Sequence, residues 1–157
     1  MQKMTTNPLN KISNRVAKHN SRLSSSSDID NDVFTIKPKI LIVEDNLINQ
    51  KVAQLFLENL GYEADIAANG QQALAIFNRG YALILMDLGL PDMDGIEITK
   101  KIRERDKHIP IIACTASGEN YKAKCLAAGM NDFIIKPILL DTLKTLLAKF
   151  LPSTTIN

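Results

Sequence analysis

Five short apolar runs, each closed by a polar residue or a turn and each followed by a stretch with helical spacing, constrain this chain more than any other feature. They are residues 40–43, 62–67, 81–86, 111–114 and 133–135. A brief apolar run bounded by turn residues reads as a strand, and one without alternation as a strand buried on both faces. After the first run, Asn46 is a good N-cap, and Val52, Leu55, Phe56, Asn59 and Leu60 recur at helical spacing until Gly61. Asn69-Gly70 turns the chain, and Ala73, Leu74, Ile76 and Phe77 mark a second helix ending near Gly80. Ile96, Ile98 and Ile102 mark a third, rich in Lys and Arg towards its end. A fourth runs from about 119 to 128 and stops at Gly129, and Leu139, Leu140, Leu143, Leu146, Leu147 and Phe150 give a fifth. Strand and helix alternating five times predict an α/β fold, a doubly wound parallel sheet with helices on both faces and right-handed crossovers. The common strand order for five strands is 2-1-3-4-5, and the mixed second run suits its edge.

Open sheets of this kind bind ligands at their carboxyl edge. The residues closing the runs there are Glu44 and Asp45 after the first, Asp87 after the third, Thr115 after the fourth and Lys136 after the fifth. Crowded carboxylates cannot all stay ionised without a cation nearby. Hard oxygen donors suit Mg²⁺, which binds through one or two carboxylates and a phosphate. Lys136 adds a point charge and Thr115 a hydroxyl donor. Together these make a phosphoryl-transfer site with an aspartate nucleophile. The plain alternative is that Lys136 and the acids merely pair, yet a buried ion pair alone seldom adds net stability.

Charge and composition narrow the setting. The 157-residue chain carries a formal net charge of +2. All of that excess lies in residues 1–36, where Lys3, Lys11, Arg15, Lys18 and Arg22 face Asp28, Asp30 and Asp32, so the remainder is neutral and lacks a basic footprint. Residues 1–36 hold few large apolar groups and a Ser24–Ser27 run, a composition expected to form a disordered basic, serine-rich tail. The alternative there is a short basic amphipathic helix along Leu9, Ile12, Val16 and Leu23. Cys114 and Cys125 have no metal-type spacing, and Cys114 reads as a buried small hydrophobe. With no disulfide framework, no secretory pattern at the N-terminus and no spanning apolar stretch, a cytoplasmic location is expected.

Four motifs now converge: Ile-Val-Glu-Asp-Asn at 42–46, Met-Asp-Leu-Gly-Leu-Pro-Asp-Met-Asp-Gly at 86–95, Thr-Ala at 115–116 and Lys-Pro at 136–137. In their order and spacing, the residues from about Lys39 to Leu151 closely resemble the flavodoxin-like receiver domain of two-component response regulators, and residues 37–157 are expected to form that domain. Residues 44–50 are most similar to receivers of hybrid histidine kinases and multistep phosphorelays. The resemblance implies that Asp87 accepts a phosphoryl group from a phosphohistidine. It also implies that Glu44, Asp45, Asp87 and the backbone carbonyl of Gly89 hold Mg²⁺, and that Thr115 and Lys136 contact the bound phosphoryl. In this family the Lys-Pro bond is often cis, which aims the lysine. Thr115 and Phe133 would form the switch, with Phe133 where the family often has tyrosine. Gly89 and Ser117 occupy positions that tune water's access to the phosphoryl group. The readout face would include Tyr121, Lys122, Lys124, Phe133 and Lys144. Because so little chain follows Leu151, a stand-alone receiver with no DNA-binding domain is expected, signalling to a protein target. Its phosphodonor would be a sensor histidine kinase or a histidine phosphotransfer protein. Beyond its own phosphoryl transfer and slow dephosphorylation, no enzyme activity is expected. Two other readings remain. A haloacid-dehalogenase-like phosphatase also uses Asp and Mg²⁺, but it carries a second acid where this chain has Gly89. A phosphorylation-independent binding module would not need the intact acid pair, Asp87, Thr115 and Lys136.

Overall fold

Parallel pairing of all five strands, in the order β2-β1-β3-β4-β5, builds the centre of the molecule. The computed structural model describes residues 36–116 and 118–152. The expected tail therefore falls outside the described residues except for Ile36, as do the alternative helix within it and Ser117. The elements are β1 (Lys39–Val43), α1 (Leu47–Asn59), β2 (Glu63–Ala67), α2 (Gly70–Ile76), β3 (Tyr81–Asp87), α3 (Gly95–Arg105), β4 (Ile111–Thr115), a 3-10 turn (Glu119–Tyr121) leading into α4 (Lys122–Ala128), β5 (Asp132–Ile135) and α5 (Leu140–Phe150).

The expected order is the observed one, and its cause is visible in the strands. Side chains alternate between the two faces of a strand. Here both sets are apolar because both faces are covered. Leu41, Val43, Ile84, Met86, Ile111 and Ala113 pack on the side of α2, α3 and α4. Ile40, Ile42, Leu83, Leu85, Ile112 and Cys114 pack on the side of α1 and α5. Burial pushes the Cys114 thiol up to about 12, so it serves as a small hydrophobe. Strand β2 is one of the two edge strands and is less buried than the central ones.

Helix starts follow their caps. The Asn46 side chain accepts from the Ile48 and Asn49 amides at 2.9 and 3.1 Å, and Asp94 caps α3 through Ile96 N at 2.8 Å. Several boundaries and one face differ from expectation. Helix α2 ends at Ile76 rather than near Gly80, because the backbone of Phe77 turns extended. The fourth helix opens as a 3-10 turn and becomes α-helical only at Lys122. In α1 the buried side chains are Gln50, Ala53 and Leu57, whereas Leu55 is exposed. Leu55 and Leu57 lie on different sides of a 3.6-residue helix, and the stripe expected from spacing, which ran through Leu55, left Leu57 out. Among the described residues, no helix is long and apolar enough to cross a membrane.

Candidate functional site

The alternation that builds the two cores also fixes which strand-end residues meet. Glu44 continues the parity of Ile42, Asp87 that of Leu85 and Lys136 that of Ile134, so all three leave the sheet towards α1 and α5. Thr115 continues the parity of Ala113, the partner of Phe133 across the β4–β5 pair, on the opposite side. The sheet thus delivers the charges to one side of the carboxyl edge and the hydroxyl to the other.

Single ligand oxygens of Glu44, Asp45 and Asp87 all lie within 4.8 Å of one another, with Glu44 and Asp87 buried and Asp45 exposed. Lys136 Nζ reaches Glu44 Oε2 at 2.5 Å and Asp87 Oδ2 at 3.1 Å. The remaining oxygens of those two acids are also engaged. Glu44 Oε1 accepts from the Asn46 amide at 3.0 Å, and Asp87 Oδ1 accepts from the Gly89 amide at 3.2 Å. Burial acts to lower the Lys136 pKa, but the hydrogen bond from Lys136 to Glu44 and the charge of Asp87 outweigh it and hold the ammonium above its ordinary range. The Lys136–Pro137 peptide is cis, and the Lys136 amide donates to the Thr115 carbonyl at 2.8 Å. Thr115 itself is buried.

Three hard carboxylate oxygens with an exposed member fit a small divalent cation that keeps part of its hydration shell. Gly89, the other expected contributor, is exposed and lies two residues after Asp87 in the β3–α3 loop, where a Cβ would meet nothing within 4 Å. Phe133 is half-buried against the α2–α4 side of the core, and Lys122 Nζ lies 5.2 Å from its ring centroid. The structure therefore brings together every charged residue read from the strand ends. It also holds residues that strand-end reasoning did not find. Gln50, buried in α1, donates from Nε2 to the Glu44 carbonyl at 2.7 Å and fixes the start of the acidic loop. A lone glutamine inside an apolar helical stripe was the available signal.

The response regulator receiver domain model matches residues 40–148. The chain is similar to hybrid signal transduction histidine kinase B of Dictyostelium discoideum, 46% identical over 115 residues, which is 64% of this chain and 6% of that protein. It thus spans a small part of the curated relatives it matches. Among solved structures, it resembles the receiver domain of sensor histidine kinase PA1611 from Pseudomonas aeruginosa, which has a magnesium ion coordinated in its active site cleft. That likeness is 39% identical with a TM-score of 0.68, covering 74% of this chain and 99% of the other. The receiver domain of Ssk1 from Saccharomyces cerevisiae, in co-crystals with the histidine phosphotransfer protein Ypd1, is 38% identical with a TM-score of 0.68, covering 73% of this chain and 88% of the other.

Proposed function

This chain belongs to the response regulator receiver domain family of two-component phosphorelays, and we propose that its Asp87 takes a phosphoryl group from a protein phosphohistidine. The observation that carries this reading is the cluster itself: three carboxylates within 4.8 Å, two of them contacted by one lysine. In the transfer, a carboxylate oxygen of Asp87 attacks phosphorus. The new O–P bond forms as the N–P bond breaks, and the bonding pair leaves on the imidazole nitrogen. Lys136 lies close enough to Asp87 to meet the charge on the incoming phosphoryl oxygens, and the Thr115 hydroxyl donates to one of them. Glu44, Asp45, Asp87 and the Gly89 carbonyl would hold Mg²⁺, which when bound neutralises charge on the phosphoryl group. With no side chain at Gly89, two residues after Asp87, water would meet a more open route to the phosphoaspartate.

The donor must bring its histidine to this edge. Leu47 and Ile48, 77% and 73% exposed at the start of α1, form an apolar rim beside the acids and suit a docked protein surface. The Ypd1 co-crystal of a similar receiver favours a histidine phosphotransfer protein, with a sensor kinase as the other donor class. The phosphoryl contacts Thr115 and Lys136 in one of two states and so biases the face carrying Tyr121, Lys122, Lys124, Phe133 and Lys144. Residues 37–157 would form this signalling domain, working in the cytoplasm.

The test is labelling by acetyl phosphate with Mg²⁺. Wild type should take up one phosphoryl group, and Asp87→Asn should take up none while keeping its circular dichroism. Labelling of Asp87→Asn at the wild-type rate would refute the assignment.

A further inference from the structure

The loop that leaves Asp87 is fastened to a helix far away in sequence. Asp92 accepts from the Gly70 amide through Oδ1 at 2.8 Å and from the Gln71 amide through Oδ2 at 3.0 Å. These are first-turn amides of α2, which have no partner within their own helix. The helix's own N-cap, Asn69, covers the next amide, Gln72, at 2.8 Å. Gly70 permits this approach: a Cβ there would lie 3.0 Å from Met93 Cβ and 2.8 Å from Ile98 Cδ1. The Asn69-Gly70 pair, in sequence only a turn signal, therefore seats α2 against the loop that follows the third strand.

Gly89 sits in that loop and has no side chain to anchor its carbonyl. Its position comes from the fastenings around it: its own amide to Asp87 Oδ1, the Gly95 amide to the Leu88 carbonyl at 3.3 Å, and the two bonds at Asp92. We infer that Asp92 is a positioning residue for the phosphoryl-transfer site, clamping the loop so that the Gly89 carbonyl stays beside the Glu44, Asp45 and Asp87 carboxylates. This rests on the proposed receiver function. The hydrogen bonds from Gly70 and Gln71 also hold the Asp92 carboxyl below the usual carboxylate range, so the clamp is charged at neutral pH.

The experiment uses the full chain and titrates Mg²⁺ by calorimetry, alongside acetyl phosphate labelling and thermal melting. Asp92→Ala should weaken Mg²⁺ binding by roughly 10-fold, as loss of a residue supporting a metal ligand does, and slow labelling in step. Asp92→Asn keeps an acceptor oxygen and should recover most of that loss. Gln71→Pro approaches the same bond from the donor side. It deletes one amide in the first helical turn, where proline is tolerated, and should shift Mg²⁺ affinity in the same direction. Wild type that neither binds Mg²⁺ nor labels would refute the receiver reading itself. Wild type that does both, beside an Asp92→Ala protein of unchanged Mg²⁺ affinity, would refute the positioning role alone, whatever happened to its melting temperature. Asp92→Asn no better than Asp92→Ala would also overturn it.

Discussion

Lys136 brings one ammonium to Glu44 Oε2 and Asp87 Oδ2 together, at 2.5 and 3.1 Å. It is the internal counter-ion of two buried acids, which would otherwise repel each other in a medium less polarisable than water. Its pKa is raised, so the pairing stabilises the fold fully below the ordinary lysine value of 10.5 and is lost as pH rises through the folded value. Around neutrality the pairing is therefore constant, and the way to perturb it is mutation. Lys136→Ala leaves Glu44 and Asp87 facing each other and Asp45 with no cation, which lowers the melting temperature of the metal-free protein. It also increases the acids' demand for an external cation. Saturating Mg²⁺ should then raise the melting temperature of Lys136→Ala by more than it raises that of wild type. Equal increments in paired thermal melts would show that Lys136 does not act as the counter-ion of the metal site.

Strand β3 and helix α3 are the pair of elements on which Asp87 depends, and Gly95 is where they touch. A Cβ at Gly95 would lie 2.3 Å from the Asp87 carbonyl oxygen and 3.1 Å from Leu88 Cα, both backbone atoms. Neither can yield without moving the end of β3, so Gly95→Ala should cost about 1–3 kcal/mol, the usual range for overpacking. A urea midpoint unchanged from wild type would count against this close approach. Sequence reasoning reached Gly95 only as the last residue of the 86–95 motif, since a clash with a carbonyl in a preceding strand is not encoded in periodicity. The same limit explains the rest of what was missed. Strand order, the Asn46 cap and the convergence of Glu44, Asp45, Asp87 and Lys136 were legible, because each depends on local pattern or on which edge a strand ends at. The choice of Leu57 over Leu55 as the core residue of α1, the bond from Gln50 to the Glu44 carbonyl and the clamp of Asp92 on α2 were not. Each depends on where a second element lies once the sheet has formed. Helix α2 was read too long because Phe77 is apolar and buried, although its backbone has already left the helix.

Taken as a whole, residues 36–152 carry 14 basic and 14 acidic side chains, so the described part of the molecule has no net field to attract a polyanion. Where lysines do gather, towards α4, β5 and α5, three exposed ones lie over aromatic rings. Lys122 lies 5.2 Å from the Phe133 centroid, Lys124 lies 5.6 Å from that of Tyr121, and Lys149 lies 5.1 Å from that of Phe150 while also pairing with Asp132 at 2.8 Å. Cations held this way cover apolar surface and cost more to recruit to a phosphate backbone than free ones. They also connect the face to the site. Phe133 is the β-sheet partner of Ala113, two residues from Thr115 on the same side of the sheet, and the proposed shift at Thr115 would reach the Lys122–Phe133 contact through these adjacent strands. The surface proposed to change when Asp87 is phosphorylated is therefore amphipathic, which suits a protein more than a nucleic acid. Phosphorylation should change affinity for a protein partner, such as a histidine phosphotransfer protein, by about 5- to 150-fold, the range of ordinary coupling free energies. Titrating that partner with the phosphorylated and unphosphorylated chain measures the change. Duplex-DNA binding that persists at physiological salt and strengthens on phosphorylation would contradict it, because binding through phosphate contacts needs a basic footprint that these residues lack.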